Sequence, residues 1–258
     1  MASWSIRAPN ILSPVRQFYS PSSPRDVFEV RHILVKFLPT ELANAIIDEA
    51  AYWPRVVCAK DRIPAVHASA YPNHDAAVHC LTAPAFPSVE ELSEEKLRVK
   101  LVKFRIESHD QGWGGEPEHR GTYRGSHTWF EAAILRPGKP PELQGWRRLA
   151  VELPGLRRFR PSTPLVEVEN PAEPGGRWRI QTNLCAVPYA QHHTVVWREG
   201  GPPRSGADGS PEEDGSGDGA GFIEALTPGA RIGVVARAMY PMWSNHVQCV
   251  ELVAYYAV

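Results

Sequence analysis

Two hydrophobic periods divide this chain. Between residues 38 and 53, Leu38, Leu42, Ala45, Ile46, Ala50 and Trp53 recur at spacings of three and four. That spacing predicts an amphipathic helix over 40–53, with Thr40 as its N-cap and Pro54 as its stop. From residue 96 the period changes to two: Leu97, Val99 and Leu101 alternate with Arg98 and Lys100 in a run ending at Ile106. Further short runs rich in Val, Ile, Trp and Tyr occupy 129–135, 178–187, 194–197, 232–239 and 247–256. The pattern predicts a mainly β chain, with an antiparallel β-sandwich or jelly roll over 96–258 and the N-terminal helix packed against it.

The stretches between these runs fill in the domain plan. Residues 1–25 are rich in Ser and Pro and read as a disordered or loosely packed N-terminus, and 26–95 as a helix with an irregular segment. Residues 200–221 offer nothing more apolar than alanine and proline, so composition predicts a disordered insertion joining Trp197 to Phe222. The connection 137–174 is also irregular, but Trp146, Leu149, Leu153, Leu156 and Phe159 give it material for a folded lid.

Charge and cysteine usage narrow the function. A formal charge of -1 leaves no field to attract nucleic acid or an anionic membrane. The arginines at 147–148 and 157–160 lie among Pro and Gly and read as solvated loops. No apolar run reaches membrane-spanning length, and the start lacks a secretory pattern, so a soluble cytoplasmic protein is expected. Cys58, Cys80, Cys185 and Cys249 form no CxxC pair and are expected as reduced thiols.

The ten histidines raise metal binding as a candidate, through His109, Asp110, His127, His192 and His193. Adjacent strand residues face opposite ways, so His192 and His193 cannot both join one cluster without a bulge. A metal-free and cofactor-free protein is expected. No GxSxG elbow is present, and Gly112-Trp113-Gly114-Gly115 lacks a Rossmann context and a phosphate-binding lysine.

What stands out is a set of polar and aromatic motifs: Ser108-His109-Asp110-Gln111-Gly112-Trp113, Gly121-Thr122-Tyr123, His127-Thr128-Trp129-Phe130-Glu131 and His192-His193-Thr194-Val195-Val196-Trp197. His109, Asp110, Gln111, Tyr123, His127, His193, Asn245 and His246 supply donors and acceptors, while Trp113, Trp129, Trp197, Tyr240 and Trp243 supply flat apolar walls. The competing reading makes Asp110 a ligand of loop amides and Trp129 and Trp197 plain core. Glu131 keeps step with Trp129 and Ala133, so it is expected inside, with a raised pKa or an arginine partner such as Arg179.

These motifs, with Asn245-His246-Val247 and Tyr255-Tyr256, resemble a group of fungal proteins without an assigned activity, over most of the chain from about residue 26. The chain is also similar in size and cofactor poverty to fungal cyclases of terpenoid and polyketide pathways, including norbornene-forming Diels–Alderases of the sordarin type. Separately, Leu38-Pro39-Thr40-Glu41-Leu42 resembles the opening of an F-box, over one helix only. The cyclase resemblance implies a cofactor-free cyclase or isomerase acting on a hydrophobic small molecule of secondary metabolism. A pericyclic step needs a shaped apolar cavity and donors that polarise a carbonyl. On that reading His109, Tyr123, His127 and His193 are catalytic, and Asp110, Trp113, Trp129, Glu131, Trp197, Trp243 and Asn245 bind substrate. The alternative is a non-catalytic module that binds a protein or a glycan. A deep closed cavity favours the first, and outward aromatics on an open surface favour the second. Sequence does not set the oligomeric state.

Overall fold

A computed structural model describes residues 21, 23–70, 73–92, 97–138, 165–172, 176–201 and 214–258. Its contacts form two units, Met1–Arg55 with Tyr256–Val258, and Val56–Tyr255.

The first unit contains two helices, α1 (Pro24–Leu34) and α2 (Thr40–Glu49). A capping box starts α1: Ser23 donates its amide to Asp26 at 3.0 Å, and Pro24 supplies a helical φ in the first turn. This helix was hidden in the sequence by its Ser/Pro-rich approach, and residues 23–25 belong to its cap and first turn rather than to a disordered tail. Helix α2 exists where the 3.6-residue period places it, but it ends at Glu49, not Trp53, because Ala51 turns into the left-handed region (φ 49°). Pro39, not Thr40, occupies the N-cap position. The buried positions of α2 are Ala43 and Ile47, while Leu42 and Ile46 face out. The stripe expected to face the protein is therefore one residue out of phase.

The second unit is a β-sandwich. Its strands are β1 (Arg55–Asp61), β2 (Val66–His67), β3 (Asp75–Thr82), β4 (Arg98–His109), β5 (Thr128–Pro137), β6 (Leu165–Val168), β7 (Trp178–Thr182), β8 (Gln191–Arg198), β9 (Arg231–Met239) and β10 (Ser244–Ala257). A short helix α3 (Val89–Leu92) precedes β4. One sheet runs β1-β10-β4-β8 with β2 also on β10, and the other runs β3-β9-β5-β6 with β7 also on β5. Segments β6 and β7 share one edge of β5, Ile134 pairing with Val168 and Trp129 with Thr182. Treating β1–β2 and β6–β7 as single segments gives sheet orders 1-8-3-6 and 2-7-4-5, the jelly-roll arrangement of two antiparallel sheets. Three of these strands, β1 to β3, lie in the region expected to be irregular, so the β domain begins near residue 55 rather than 96. Strand β3 gave little signal because its run Asp-Ala-Ala-Val-His-Cys-Leu-Thr passes from exposed to buried without alternating, and its two alanines have weak strand propensity. The expected strand 178–187 stops at Thr182 and passes into a loop.

The inner faces meet in an aromatic core. Phe104 of β4 packs edge-on against Trp197 of β8 at 4.9 Å, and Phe222 joins Trp197 at 4.8 Å and Trp178 at 5.2 Å. The chain that brings Phe222 there is ordered from Asp214 onward, which corrects its assignment to a disordered insertion; 202–213 lie outside the described residues. Residues 214–222 form a strap along the edge shared by β7 and β8. Thr182 donates to the Gly215 carbonyl (2.7 Å), Gly217 donates to the Ile180 carbonyl (3.0 Å), and Gln181 pairs with Ser216. Two indoles clamp it: Trp197 Nε1 donates to Gly217 O (2.9 Å) and Trp178 Nε1 to Ala220 O (2.8 Å). A Cβ at Gly217 would overlap the Arg179 carbonyl, and one at Gly219 would enter the Trp197 ring. The glycines that read as low complexity are thus the residues able to pass this close. The lid residues Trp146, Leu149, Leu153, Leu156 and Phe159 lie outside the described residues, and 165–168 of that connection form β6. Among the described residues no helix is long and apolar enough to cross a membrane.

Candidate functional site at the loop end

The jelly-roll order sends the β2–β3, β4–β5, β7–β8 and β9–β10 connections to the same end of the sandwich. Most of the polar motifs fall there. Cross-loop bonds fix the arrangement: Gly121 and Cys185 exchange backbone bonds through Thr122 (both 2.8 Å), Met239 donates to His127 O (2.9 Å), and Ala68 donates to Trp243 O (2.9 Å). Gln111 Oε1 accepts from Ser244 N at 3.2 Å. All four cysteines are free thiols, and burial raises the Cys185 pKa at the centre of these loops.

Asp110 is the fastener of the group. It is fully buried, and its carboxylate accepts from Gly112 N (2.7 Å), Ala186 N (2.5 Å) and Val187 N (3.0 Å). Burial raises its pKa while the three amides pull it back. It ties the β4–β5 loop to the β7–β8 loop and faces no open space, so the structure gives it the loop-amide role. Asn245 is likewise interior. Its Nδ2 donates to Trp129 O (3.1 Å) and Arg237 O (3.2 Å), while its Oδ1 accepts from Asn183 Nδ2 (3.0 Å). Asn183 also donates to Thr128 Oγ1 (2.9 Å) and accepts from Ser108 Oγ (2.7 Å). Ser108, Thr128, Asn183 and Asn245 form a buried polar bridge between the two sheets. Asn183 carried no signal in the sequence, because an Asn after a strand reads as an ordinary turn residue.

Around these fasteners sits a shell of rings. His109 stacks on His246 at 4.8 Å with 9° between planes, and His67 meets His246 edge-on at 5.8 Å. His67 Nδ1 lies 2.8 Å from Ser244 Oγ. His127 stands perpendicular to both Tyr240 (4.7 Å) and Trp243 (4.9 Å). Burial lowers the His127 pKa, and burial plus the neighbouring His109 and His67 lowers that of His246. Among the described residues no group of three or more His, Cys, Asp or Glu is placed to hold a metal. Outward from the shell, Trp113 is 53% exposed, Tyr189 66%, Tyr240 48% and Met242 66%. Tyr240 and Met242 hold left-handed φ values of 68° and 77°, costly for side chains of this size. Their turn is pinned by Tyr240 N to His74 O (2.6 Å) and Met242 N to Ala68 O (3.2 Å). Tyr189 and Met242 were missed from sequence because single residues beside Pro in a loop carry no periodic signal.

The other proposed site residues lie apart from this shell of rings. Tyr123 and His193 meet edge-on at 6.1 Å beside the strap, and burial raises the Tyr123 pKa, with Asp214 adding to the effect. His193 faces inward while His192 is exposed, and burial holds the His193 imidazole down at about 4. Trp197 is core beneath the strap. Trp129 and Glu131 lie on the other face of β5 from the inward Phe130 and Ala132. There Trp129 Nε1 donates to Glu131 Oε1 (2.6 Å), and Arg237 Nη1 donates to Glu131 Oε2 (3.0 Å). Glu131 does have arginine partners, Arg237 and Arg177, and its cross-strand neighbour Arg179 lies over the Trp129 ring at 4.6 Å. The eleven residues therefore do not converge on one pocket. Three clefts lined by described residues are open: about 580 Å³ between Trp197, Asp218 and Glu224, 410 Å³ beside Tyr123 and Arg179, and 460 Å³ along Glu118, Thr122 and Tyr123.

No family model and no curated protein matches the chain. Among solved structures, the decameric BFDV capsid protein aligns with 80% of this chain and 97% of its own length, at 14% identity and a TM-score of 0.26. A score that low carries no argument about fold or function.

Proposed function

We propose that this chain is a non-catalytic binding module that docks a partner protein with its loop end. The observation that carries the reading is the outward set Trp113, Tyr189, Tyr240 and Met242. Aromatic residues and Met are the types enriched at the cores of protein interfaces, and charged groups the types depleted. The buried carboxylate behind them, Asp110, is satisfied by backbone amides and ties two of the loops together, which lowers the ordering cost of association. A cofactor-free cyclase would need an enclosed apolar cavity with donors inside it. His109, Tyr123, His127 and His193 instead sit in three separate surroundings, so that reading ranks second.

The test places a photo-crosslinking residue at 113 or 240 and, as control, at 224 in the connection at the opposite end. A protein adduct specific to the loop end is expected. The purified partner should bind wild type at least tenfold more tightly than Trp113→Ala or Tyr240→Ala, with Trp113→Ala within roughly 1 kcal/mol of wild-type stability. Equal adducts at 224, displacement by free saccharides, or unchanged affinity in both variants would overturn the proposal.

A further inference from the structure

Three histidines meet at the loop end. His67 lies on β2, His109 closes β4 and His246 is near the start of β10. His109 stacks flat on His246 at 4.8 Å, and His67 stands edge-on to His246 at 5.8 Å. The outer two rings are tied to the loops beside them. His109 Nδ1 donates to Asp110 O (2.6 Å), and His67 Nδ1 lies 2.8 Å from Ser244 Oγ. Ser244 N donates to Gln111 Oε1 (3.2 Å). The stack thus marks the seam between the β4–β5 loop, which carries Trp113, and the β9–β10 turn, which carries Tyr240 and Met242. On its other side the β4–β5 loop is fastened to Ala186 and Val187 by the Asp110 carboxylate. The seam at the stack relies on ring contacts and one amide bond instead, and the turn across it is strained, with Tyr240 and Met242 at positive φ.

Protonation changes what those contacts are worth. Two neutral imidazoles stack without penalty, whereas two imidazolium rings face to face at this distance repel each other. Burial lowers the His246 pKa, and His109 and His67 lower it further. The carboxylates near the stack are engaged elsewhere. Asp110 attracts a charge on His109, but its oxygens are committed to the amides of Gly112, Ala186 and Val187. Glu107, on the same face of β4 as His109, lies 3.8 Å from His192 of β8. Gln111, Ser244 and Trp243 are uncharged. Beyond Trp243, the His127 ring meets Tyr240 and Trp243 edge-on, with its own pKa lowered by burial. We infer that the His67–His246–His109 stack is a proton-operated latch, closed when the rings are neutral and parting when they are charged, so that acid frees the β9–β10 turn from the β4–β5 loop. Rings released into water bind protons more tightly than His246 does within the stack. The closed form is therefore complete above about pH 6.5 and is lost as pH falls below it. The latch needs no partner; on the docking reading above, it presents the surface near neutral pH and withdraws it in acid.

Fluorine NMR of the full chain grown with 5-fluorotryptophan, from about pH 7.5 to about pH 5, tests the latch. The Trp113 and Trp243 resonances should move together with a midpoint below about pH 6.5, while those of Trp178 and Trp197 in the core stay put. Over the same range the Ser244 amide, released from Gln111, should exchange at least about tenfold faster once the intrinsic pH dependence is removed. His246→Phe keeps a flat ring that takes no proton, so it should abolish both changes. His67→Gln, at an exposed position, should move the midpoint to lower pH without altering the Trp178 and Trp197 signals. A Trp243 resonance that ignores pH would overturn the inference. So would a transition that persists unchanged in His246→Phe or in His67→Gln, or one in which Trp178 and Trp197 move with Trp243, the mark of global unfolding.

Discussion

Replacing Gly217 with alanine tests whether the glycine-rich strap is part of the fold. The added methyl group meets the Arg179 carbonyl at a separation no real Cβ tolerates, so either β7 or the strap must move. Releasing the strap forfeits the bonds from Thr182 N, Gly217 N, Trp178 Nε1 and Trp197 Nε1. At a net ~1 kcal/mol each, with the freed groups reaching water, that route costs about 4 kcal/mol before any indole surface is uncovered. Local accommodation of one extra methyl typically costs about 1–3 kcal/mol. The cheaper route wins, so Gly217→Ala should lose about 2–3 kcal/mol, a fall of roughly 5–10 °C for a domain of this size. Gly221→Ala is the control: unlike Gly217 it has a positive φ (72°), and it has open space around a Cβ, so only the conformational cost of about 1 kcal/mol applies. Calorimetry, read beside the emission of Trp178 and Trp197, measures both variants. If Gly217→Ala melts with wild type, or no lower than Gly221→Ala, the strap does not rest on β7.

Three other outcomes follow from the geometry. Asp110→Ala should leave three amide donors without their acceptor and cost about 3–5 kcal/mol by denaturant titration, well beyond any change at Trp113. Asn183→Ala should cost about 3 kcal/mol in the same assay, since Ser108, Thr128 and Asn245 lose a shared partner in a dry interior. Burial holds His79 and His193 near a pKa of about 4 in the folded chain, against an unfolded value of 6.5. The unfolded chain therefore takes up protons first as pH falls. Stability is complete above pH 6.5 and is lost between about 6.5 and 4, by up to about 3 kcal/mol per histidine; His193→Gln should remove about half of that slope in unfolding free energy.

Strands β4 and β8 were legible because one face is wet and the other dry, so alternation survives on them. Strands β5, β9 and most of β10 are buried on successive positions and came through as runs rich in β-branched and aromatic residues. The jelly-roll class followed from their number and spacing. Strand β3 did not come through, since a segment that passes from exposed to buried without alternating carries no period-two signal, and its alanines have weak strand propensity. The helix α2 was found in the right place but with its buried face displaced by one residue, because Leu42 and Ile46 are more apolar than the Ala43 that is actually covered. The motifs at 108–113 and 121–123 did mark a structurally special region, the loop end. Their chemistry was less legible. Asp110 and Asn245 look identical in sequence whether they meet a ligand or the backbone, and the bond from Arg237 to Glu131 comes from β9, 106 residues away in sequence, a neighbour that spacing alone does not reveal. Composition misjudged 214–221 for a physical reason: backbone hydrogen bonds and contact with indoles can order a segment that has no apolar side chains of its own.

The buried bridge of Ser108, Asn183, Thr128 and Asn245 bears on how many alternative pairings the sheets can adopt. Most of the core here is Val, Ile, Ala and Phe, shapes that tolerate exchange and that would fill a slipped sheet nearly as well. Each amide in the bridge, by contrast, has its donor and acceptor committed to specific atoms on β4, β5, β9 and β10. Sliding β10 by one residue along β4 would carry Asn245 to the opposite face and strand the Asn183 amide in a dry interior. The bridge therefore penalises wrong registers more than it rewards the right one. Its contribution is to uniqueness, and it sits where uniqueness matters most, directly behind the four loops whose relative positions define the surface.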